Sequence, residues 1–465
     1  MKISIAERKK INDKVFTEIS FNEKITESRL VMNGASGVLE IKLPAKEKLN
    51  WRQSFLIARQ IIFYAKKQGI KKIALDWEKV QALKLGSDLD VAEAFATNFE
   101  TANYEFVKYK TVPKEGWNFV EEIKVVMDDG KNIKDAMTKG QLIGQETNAC
   151  RELANIPGGD MTPTILASTI KKAITGTGIK MKIVEEAEMK KLGMNLILGV
   201  GRGSSEKSKF IILEYVGKKE KSPIVLIGKG VTYDSGGLHI KLGNGMNEMA
   251  MDMSGGAAVA HAIIAAAKLG VKKRIIALIP AVENMPSGES FRPGDIIKSM
   301  SGQTVEIQNT DAEGRLILAD ANTYAERYSP CLVVNVATLT GAASVALGQR
   351  ASAVFTNNNA KLENELRELG EQSGDFVWPL PLWEEYEAEI KGTIGDICNI
   401  RNQGDTREGG TILAAMFIYQ FAKKFPAWAH IDMAPRMTPV FDEFLAKGAV
   451  GAPVGLLIKM LENYK

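Results

Sequence analysis

Histidine and cysteine are both scarce in this sequence. Its 465 residues include three histidines, which are His239, His261 and His430. No HExxH motif surrounds them, which disfavours a zinc site built on histidine. The three cysteines are Cys150, Cys331 and Cys398. They are odd in number, far apart and without a CxxC pair, so a disulfide framework and a thiolate zinc site are both disfavoured, and a reducing compartment is expected.

Long apolar runs and blocks of one charge are absent as well. The most apolar helical pattern, AAVAHAIIAAAKLGV at 257–271, is too short and too mixed to span a membrane. The first residues contain no signal-like apolar segment. The net charge is +4 without a basic stripe, so nucleic-acid binding is not indicated. We therefore expect a cytoplasmic protein that makes no contact with a membrane.

The sequence alternates between strand-like and helix-like patterns. In the first part, periodicity predicts a helix at 51–69 and strands at 38–43, 71–76 and 121–127. In the second part, stronger apolar runs predict strands at 210–216, 223–228, 274–280 and 332–337. Continuous apolar runs are typical of strands buried on both faces of a central, mostly parallel sheet flanked by helices.

A long helical pattern separates these two parts. It runs from 133 to 157 and stops at the breaker Pro157–Gly158–Gly159. The sequence therefore predicts an α/β protein of two domains. The smaller N-terminal α/β domain, with the linker helix, is expected at 1–158, and the second domain at 159–465.

Charged residues gather in three segments of the second part. VLIGKGVTYDSGG (225–237) contains Lys229 and Asp234, and the segment after it contains Lys241 and Asp252. NTDAEGRLILADA (309–321) contains Asp311, Glu313 and Arg315. Because ligands bind at the carboxyl ends of strands in open α/β sheets, these side chains could line one edge of the sheet.

The spacing within NTDAEGRLILADA suggests how its charges could converge. In an extended segment, residues two apart point the same way, so Asp311, Glu313 and Arg315 would share one face. A helix is predicted only from Leu316 onwards. Clustered carboxylates repel one another unless cations join them, and divalent metal ions are the cations that carboxylates bind best. The pattern therefore indicates a metal site.

Alternatives exist for each residue taken alone. Single Asp and Glu residues are more often surface groups or helix caps, and Asp252 could be the N-cap of the helix that follows it. Ser235 and Ser254 lack a GxSxG motif, which disfavours a serine hydrolase. GVGRGSSEK (199–207) precedes a strand rather than a helix, so we interpret it as a turn and not as a dinucleotide loop.

These charged segments resemble motifs of one known family. NTDAEGRLILADA is similar to the signature of the leucine aminopeptidases, the cytosol aminopeptidase family of dinuclear metallopeptidases. GKGVTYDSGGLHIK and MNEMAMDMSGGAAV resemble the other metal-binding segments of that family. Further likeness lies in LANIPGGDMTP, VATLTGA, WPLPLWEEY, GGTILAAMF and AWAHIDMA, so the resemblance covers almost the whole second domain. The first domain resembles the family only in length and α/β character.

The resemblance implies a role for each matching residue. One divalent metal would be bound by Lys229, Asp234, Asp252 and Glu313. A second metal would be bound by Asp234, Glu313 and Asp311, the last through its backbone carbonyl as well. Lys241 matches the catalytic lysine, and Arg315 the arginine that holds a bicarbonate ion, beside Gly314 and Leu339.

The resemblance also implies a reaction. A hydroxide that bridges two zinc or manganese ions, with magnesium and cobalt as further candidates, would attack the first peptide bond of a peptide substrate. A pocket of Met249, Thr338, Gly341, Ala434 and Met437 would receive an apolar first residue such as Leu or Met. The family's usual assembly implies a homo-oligomer, a hexamer, and the activity implies a part in peptide turnover.

Three other functions remain open at this point. A two-metal phosphoesterase also uses clustered carboxylates, although histidine ligands would be more usual there. A non-enzymatic binding or scaffold protein would be expected to have lost a metal ligand, and none is missing here. Binding of a nucleotide or nucleic acid by the first domain lacks a phosphate loop or a basic stripe to support it.

Overall fold

The computed structural model describes residues 1–7, 15–33, 36–128, 130–217, 222–402 and 408–464. The chain divides into two compact units. The first unit comprises Met1–Asn148 and Pro439–Gly448, and the second comprises Ala149–Thr438 and Ala449–Lys465. The assignment of Pro439–Gly448 to the first unit was not predicted. The domain limits of 1–158 and 159–465 stay a prediction.

The first unit is built on a six-stranded sheet. Its strands, β1 to β6, are Lys2–Ala6, Thr17–Asn22, Arg29–Asn33, Ser36–Lys42, Lys72–Asp76 and Glu122–Val126. Its helices, α1 to α4, are Trp51–Lys67, Trp77–Gln81, Asp88–Asn103 and Lys131–Ala154, the last of which continues into the second unit. The strand order is β1-β6-β5-β2-β4-β3, and every neighbouring pair is parallel except β3 with β4.

Helix α1 illustrates how the sequence builds this unit. Asn50 caps its start, because the Asn50 side chain accepts a hydrogen bond from the Arg52 N–H at 2.9 Å. Its apolar residues recur at helical spacing, and those buried on one face include Phe55, Ala58, Ile61, Ile62 and Ala65. This face packs in the core of the first unit, where α1 contacts α3.

The second unit is built on a nine-stranded sheet and a smaller three-stranded sheet. Its strands, β7 to β18, are Lys180–Glu185, Lys209–Val216, Ile224–Gly228, Gly230–Asp234, Arg274–Asn284, Ile296–Lys298, Thr304–Glu306, Leu332–Ala337, Ser352–Thr356, Val377–Pro379, Ile397–Cys398 and Trp428–Asp432. Its helices, α5 to α13, are Pro163–Ala173, Glu186–Leu192, Asn195–Gly201, Ser254–Lys268, Gly314–Ala325, Gly341–Leu347, Ala360–Ser373, Gly410–Gln420 and Val454–Asn463.

The large sheet is parallel at its centre and mixed at its edges. Its order is β16-β15-β18-β14-β9-β11-β8-β7, and β10 also pairs with β11. Strands β18, β14, β9 and β11 are mutually parallel, whereas β15 is antiparallel to β18, and β8 is antiparallel to β11 and β7. Strands β9, β14 and β18 are buried along their whole length. The prediction of a central, mostly parallel sheet flanked by helices is confirmed.

The individual strands and helices predicted from periodicity are confirmed to within a few residues. The predicted helix at 133–157 is α4, and the apolar run at 274–280 belongs to the longer strand β11. One detail is corrected, because Gly199–Gly201 of the predicted turn forms the end of α7. Strand β8 follows this segment, as the argument against a dinucleotide loop required.

An irregularity in the large sheet fixes the position of Lys229. Strand β9 ends one residue before Lys229 and β10 begins one residue after it. The backbone N–H of Lys229 donates to the carbonyl of Val336 in β14 at 3.0 Å. Its carbonyl accepts from the N–H of Gly256 in α8 at 2.7 Å. Lys229 is therefore held between two neighbouring elements where its strand is interrupted.

Helix α8 lies in the core of the second unit. The stretch Met249–Lys268 is long and apolar enough to cross a membrane by composition, but 89% of its most apolar window is buried inside the protein. All residues of α8 except the last two are buried, including the small residues Gly255 and Gly256 at the start of the helix. Because the apolar sides of α8 are covered by protein, α8 is a helix of the protein core.

Helix α9 is anchored by a buried carboxylate. Asp320 accepts hydrogen bonds from the backbone N–H groups of Leu196, Ile197 and Met300 at 2.9, 3.2 and 2.8 Å. Burial raises the pKa of Asp320 to about 7, although these three bonds act in the opposite direction. The contacts attach α9 to α7 and to the segment before β13. They fix the helix whose first turn contributes to the candidate site.

Candidate metal centre and active site

The carboxyl ends of neighbouring strands bring polar residues together at one edge of the large sheet. Asp234 is the last residue of β10, Asp432 is the last residue of β18, and Thr338 directly follows β14. Glu313 immediately precedes α9. Asp252 lies in a turn of 3-10 helix, Met249–Met253, that leads into α8. These segments therefore meet at one edge of the sheet, where the sequence predicted them.

Lys229 lies at the centre of this group and is buried, with 3% of its side chain exposed. Its Nζ is 2.8 Å from Asp252 Oδ2 and 2.7 Å from Glu313 Oε1, and it donates to the Thr338 carbonyl at 3.1 Å. Burial lowers the pKa of Lys229, but the surrounding carboxylates, led by Asp252 and Glu313, outweigh it and raise the pKa overall. These carboxylates therefore hold the Lys229 side chain in its ammonium form.

Asp234, Asp252 and Glu313 form a buried set of possible metal ligands. One oxygen from each lies within 4.8 Å of the others. Asp252 is not the N-cap of α8, which corrects that alternative, because its Oδ1 accepts from the Thr338 hydroxyl at 2.7 Å. Asp252 Oδ2 and Glu313 Oε1 both contact the Lys229 ammonium group. Clustered carboxylate oxygens that already surround a positive charge suit a divalent cation.

A glycine-rich loop brings a second lysine into contact with Asp234. Gly236 and Gly237 have φ values of +89° and +63°, which side chains other than glycine rarely adopt, and they allow the chain to turn back after β10. Lys241 Nζ then lies 2.8 Å from Asp234 Oδ2 and also contacts Asp311 Oδ1. Burial lowers the pKa of Lys241, but Asp234, Glu313 and Asp311 raise it overall, so the ammonium form is favoured.

The two lysines differ in their exposure to solvent. Both side chains line the cavity described below, but the side chain of Lys229 is 3% exposed and that of Lys241 is 17% exposed. A group that acts on a substrate must be reachable from the cavity, and Lys241 meets this requirement better.

The extended conformation predicted for 311–315 is wrong. Asp311 lies in a turn, in which its N–H donates to Asn309 Oδ1 at 2.8 Å. Glu313 has a helical φ of −80°, and α9 begins at Gly314, so Arg315 lies in the first helical turn. The three charged groups still lie close together, because a turn followed by the first turn of a helix brings them to one place. The alternation in the sequence therefore predicted correctly that the three charged groups cluster, but it predicted the wrong backbone conformation.

Gly314 allows the close approach of Lys229. A Cβ atom at Gly314 would lie 2.8 Å from both Cε and Nζ of Lys229. Any larger residue would have to displace the lysine from its two carboxylate partners. The glycine at this position thus has a specific steric cause.

Arg315 occupies a buried position beside the carboxylates. Its Nη1 donates to the Asn399 carbonyl at 2.7 Å, while no hydrogen-bond acceptor among the described residues reaches its buried Nε. Burial lowers the pKa of Arg315 to about 10, opposed by Glu313, Asp432 and Asp311. The guanidinium thus stays charged at neutral pH, and its unpaired N–H could hold a small anion such as bicarbonate.

A cavity of about 960 Å³ opens onto these charged groups. The five residues predicted to receive the first side chain of a substrate all line it: Met249, Thr338, Gly341, Ala434 and Met437. Leu339, predicted beside the bicarbonate, also lines it, while its N–H is committed to Asp432 Oδ1 at 3.1 Å. The hydroxyl of Thr338 is likewise committed to Asp252. The structure brings the predicted residues into one cavity.

Two buried residues that support the site were not predicted. Asp432 accepts hydrogen bonds from the N–H groups of Leu339 and Thr340 and from the hydroxyls of Thr340 and Thr411. Asn399 accepts from the N–H groups of Gln308 and Asn309, and its amide donates to the Asn309 carbonyl. Both residues fix loops that line the cavity. Asp432 lies in AWAHIDMA, one of the segments that resemble the family, but no role was assigned to it, and Asn399 had no motif to mark it.

A buried group of carboxylates and lysines that opens onto a cavity at a sheet edge defines a candidate metal-dependent hydrolase. Comparison with protein families agrees with this class, since the model for the cytosol aminopeptidase family, catalytic domain, matches residues 148–458. The chain therefore belongs to the cytosol aminopeptidase family and is a metallo-aminopeptidase, a hydrolase that acts on peptides.

Individual relatives support this membership. The chain is 38% identical over 411 residues to a probable cytosol aminopeptidase of Chromobacterium violaceum, covering 87% of this chain and 75% of the relative. It is 45% identical over 332 residues to a probable cytosol aminopeptidase of Thioalkalivibrio sulfidiphilus, covering 71% and 65%. Among solved structures, it resembles the bottromycin maturation enzyme BotP in complex with Mn, with a TM-score of 0.86, 29% identity and coverage of 97% and 99%.

Gly314→Ala tests the steric role of this glycine. The added methyl group would collide with Lys229 at 2.8 Å, and overpacking of this kind costs about 1–3 kcal/mol. We expect a lower melting temperature and a fall of about tenfold or more in the cleavage of leucine p-nitroanilide. Gly288→Ala is the matched control, because a Cβ there meets no atom within 4 Å. Equal stability and activity in both variants would contradict this role.

Proposed function

We propose that this protein is a leucyl-type aminopeptidase that hydrolyses the first peptide bond of peptides with an apolar first residue. The observation that carries the proposal is the buried convergence of Asp234, Asp252 and Glu313 around Lys229 beside the cavity. Buried charges of this number are costly to maintain for stability alone, so a catalytic purpose explains them better.

Two sets of side chains are proposed to hold divalent cations. Lys229, Asp234, Asp252 and Glu313 would hold one, and Asp234, Glu313 and Asp311 with its backbone carbonyl would hold the other. Oxygen and amine ligands suit zinc or manganese, with magnesium and cobalt as further candidates. When bound, such cations would supply Lewis-acid charge and a bridging hydroxide that attacks the peptide carbonyl.

Lys229 would contribute differently from the carboxylates. A lysine can be a ligand only as a neutral amine, yet its carboxylate neighbours hold it as an ammonium ion. Cation binding must therefore release a proton from Lys229, as is general for ligands that ionise. This makes the affinity for the cation pH-dependent.

Lys241 is proposed to stabilise the oxyanion that develops on the peptide carbonyl. Its side chain lines the cavity and its ammonium form is favoured by Asp234 and Asp311. A fixed positive charge placed where negative charge develops stabilises the transition state more than the ground state. Lys241 needs no proton transfer for this role, which agrees with its raised pKa.

Arg315, with Gly314 and Leu339 beside it, is proposed to bind a bicarbonate ion. The buried Nε of Arg315 has no acceptor among the described residues, and its guanidinium stays charged. Bicarbonate bound there would supply a group able to pass a proton to the leaving amine. Neighbouring Asp432 favours the charged form of Arg315 without contributing a ligand.

The cavity is proposed to select apolar first residues. Met249 and Met437 present flexible thioether side chains, and Gly341 and Ala434 leave space between them. Assembly into a hexamer and a cytoplasmic place in peptide turnover are proposed from family membership and from the names of the relatives as cytosol aminopeptidases.

Metal removal and restoration test the core of the proposal. Protein stripped with a chelator should lose cleavage of leucine p-nitroanilide and regain it with Mn²⁺ or Zn²⁺. Glu313→Ala, which removes a ligand shared by both cations, should lower kcat by at least about a thousandfold with either metal, and Lys241→Ala should lower it by about a hundredfold or more while metal content is kept. Full activity of Glu313→Ala, or no restoration by either ion, would refute the proposal.

Substrate preference tests the pocket. Leucine and methionine amides should be cleaved with a kcat/KM about tenfold or more above that of lysine amide, because an ammonium group would be desolvated among thioether and aliphatic groups. The measurement is steady-state kinetics on the three amides at one pH. Met437→Glu should reverse part of the preference. Equal rates on lysine and leucine amides would exclude an apolar pocket.

A further inference from the structure

Asn284, the last residue of β11, joins two segments of the candidate metal centre. Its side chain is completely buried. Its Nδ2 donates to Asp234 Oδ1 at 2.8 Å and to the Thr310 carbonyl at 2.9 Å. Asp234 ends β10, and Thr310 directly precedes Asp311. One amide group thus connects the two backbones that carry proposed ligands.

The backbone of Asn284 strengthens this connection. Its carbonyl accepts from the N–H of Ser235 at 3.0 Å and from the Ser235 hydroxyl at 2.6 Å. The residue after Asp234 is therefore fixed by Asn284 as well. Because β11 is a long strand in the centre of the sheet, the connection rests on a rigid element.

The chemistry of the position requires an amide. Both partners of Nδ2 are acceptors, so the nitrogen must face them, and a carboxylate there would repel Asp234. The Oδ1 atom faces Gly237, where a Cβ would lie 2.8 Å away. No other polar side chain has the same size and two N–H donors.

We propose that Asn284 is a positioning residue that sets Asp234 and the Asp311 turn at the spacing needed for the second divalent cation. The inference rests on the proposed function. Asn284 touches Asp234, which both proposed cation sets share, and the residue beside Asp311, which belongs to one set alone. Its loss should therefore weaken the Asp311 set more than the Lys229–Asp252 set.

Thr338 contacts a ligand that belongs only to the other proposed set. Its hydroxyl donates to Asp252 Oδ1 at 2.7 Å and to the Asp252 carbonyl at 3.3 Å, and Asp252 belongs only to the other set. Thr338→Val removes this donor with little change in volume. It should weaken the Lys229–Asp252 set and leave the Asp311 set nearly unchanged. The two variants thus predict opposite patterns.

The experiment is a titration of the full chain, stripped of metal, with MnCl₂ by isothermal calorimetry. Asp311→Ala and Asp252→Ala identify which binding step belongs to which set. Asn284→Asp and Asn284→Ser should raise the Kd of the step lost in Asp311→Ala by about 10–100-fold, the usual effect of removing a group that orients a ligand. Electron paramagnetic resonance should show less of the signal of coupled Mn²⁺ pairs at equal metal concentration.

Asn322→Asp is the matched control. Asn322 is equally buried, its Nδ2 donates to the Leu318 carbonyl at 2.8 Å, and it lies nine residues beyond Glu313 on α9, about 14 Å along the helix. It should bind Mn²⁺ as the wild type does, which separates loss of a buried amide from loss of positioning. Two different substitutions are made at Asn284, so that the test can still be carried out if one of the two variants fails to fold.

The outcomes separate the two claims. If the wild type binds two Mn²⁺ ions and the Asn284 variants bind both with unchanged Kd, the positioning role is overturned and the proposed function stands. Equal weakening of both steps, or the same loss in Asn322→Asp, also overturns it. If the wild type binds no Mn²⁺, both the proposed function and this inference fail.

Discussion

The mutual repulsion of buried carboxylates is the constraint on which the second unit depends. Asp234, Asp252, Asp311 and Glu313 lie close together at one edge of the sheet, and burial raises the pKa of Asp252, Asp311 and Glu313. Two lysines offset this repulsion. Lys229 contacts Asp252 and Glu313, and Lys241 contacts Asp234 and Asp311. The balance of negative and positive charge makes the cluster possible in a protein interior.

Much of the surrounding structure serves this balance. The interruption between β9 and β10 holds Lys229, and the absence of a side chain at Gly314 lets it approach Glu313. Asp320 anchors α9, whose first turn carries Arg315. Asn284 and Thr338 donate to individual carboxylates and so set their directions. A sheet with buried central strands provides the rigid support that such exact placement needs.

The sequence predicted four strands of the second unit, β8, β9, β11 and β14, because continuous apolar runs are a strong and local signal. It predicted the charged residues because they lie in short, distinctive segments. The fold of NTDAEGRLILADA was harder to predict, since alternation of charged and small residues is compatible with a strand and with a turn before a helix, and tertiary contacts decide between them. Asn284 was not predicted, because one amide at the end of a strand has no periodicity or motif to mark it.

The antiparallel pairing of β8 and β15 and the assignment of Pro439–Gly448 to the first unit could not be predicted from the sequence either. Strand pairing joins residues far apart in sequence, and the apolar pattern of a strand does not encode its direction. Strands β1 and β2 of the first unit are short and only partly buried, which leaves a weak pattern. By contrast, the long amphipathic helix α1 was predicted closely from its periodicity.

The most direct test of the central claim, that this carboxylate cluster holds two divalent cations side by side, is anomalous X-ray diffraction from crystals grown with Mn²⁺. Two anomalous peaks are expected roughly 3.5–4 Å apart, the spacing of two-metal sites, with Asp234 and Glu313 in contact with both. Lys229 should then contact one of the peaks. A single peak, or peaks remote from Glu313 with Lys229 still paired to Asp252, would contradict the account.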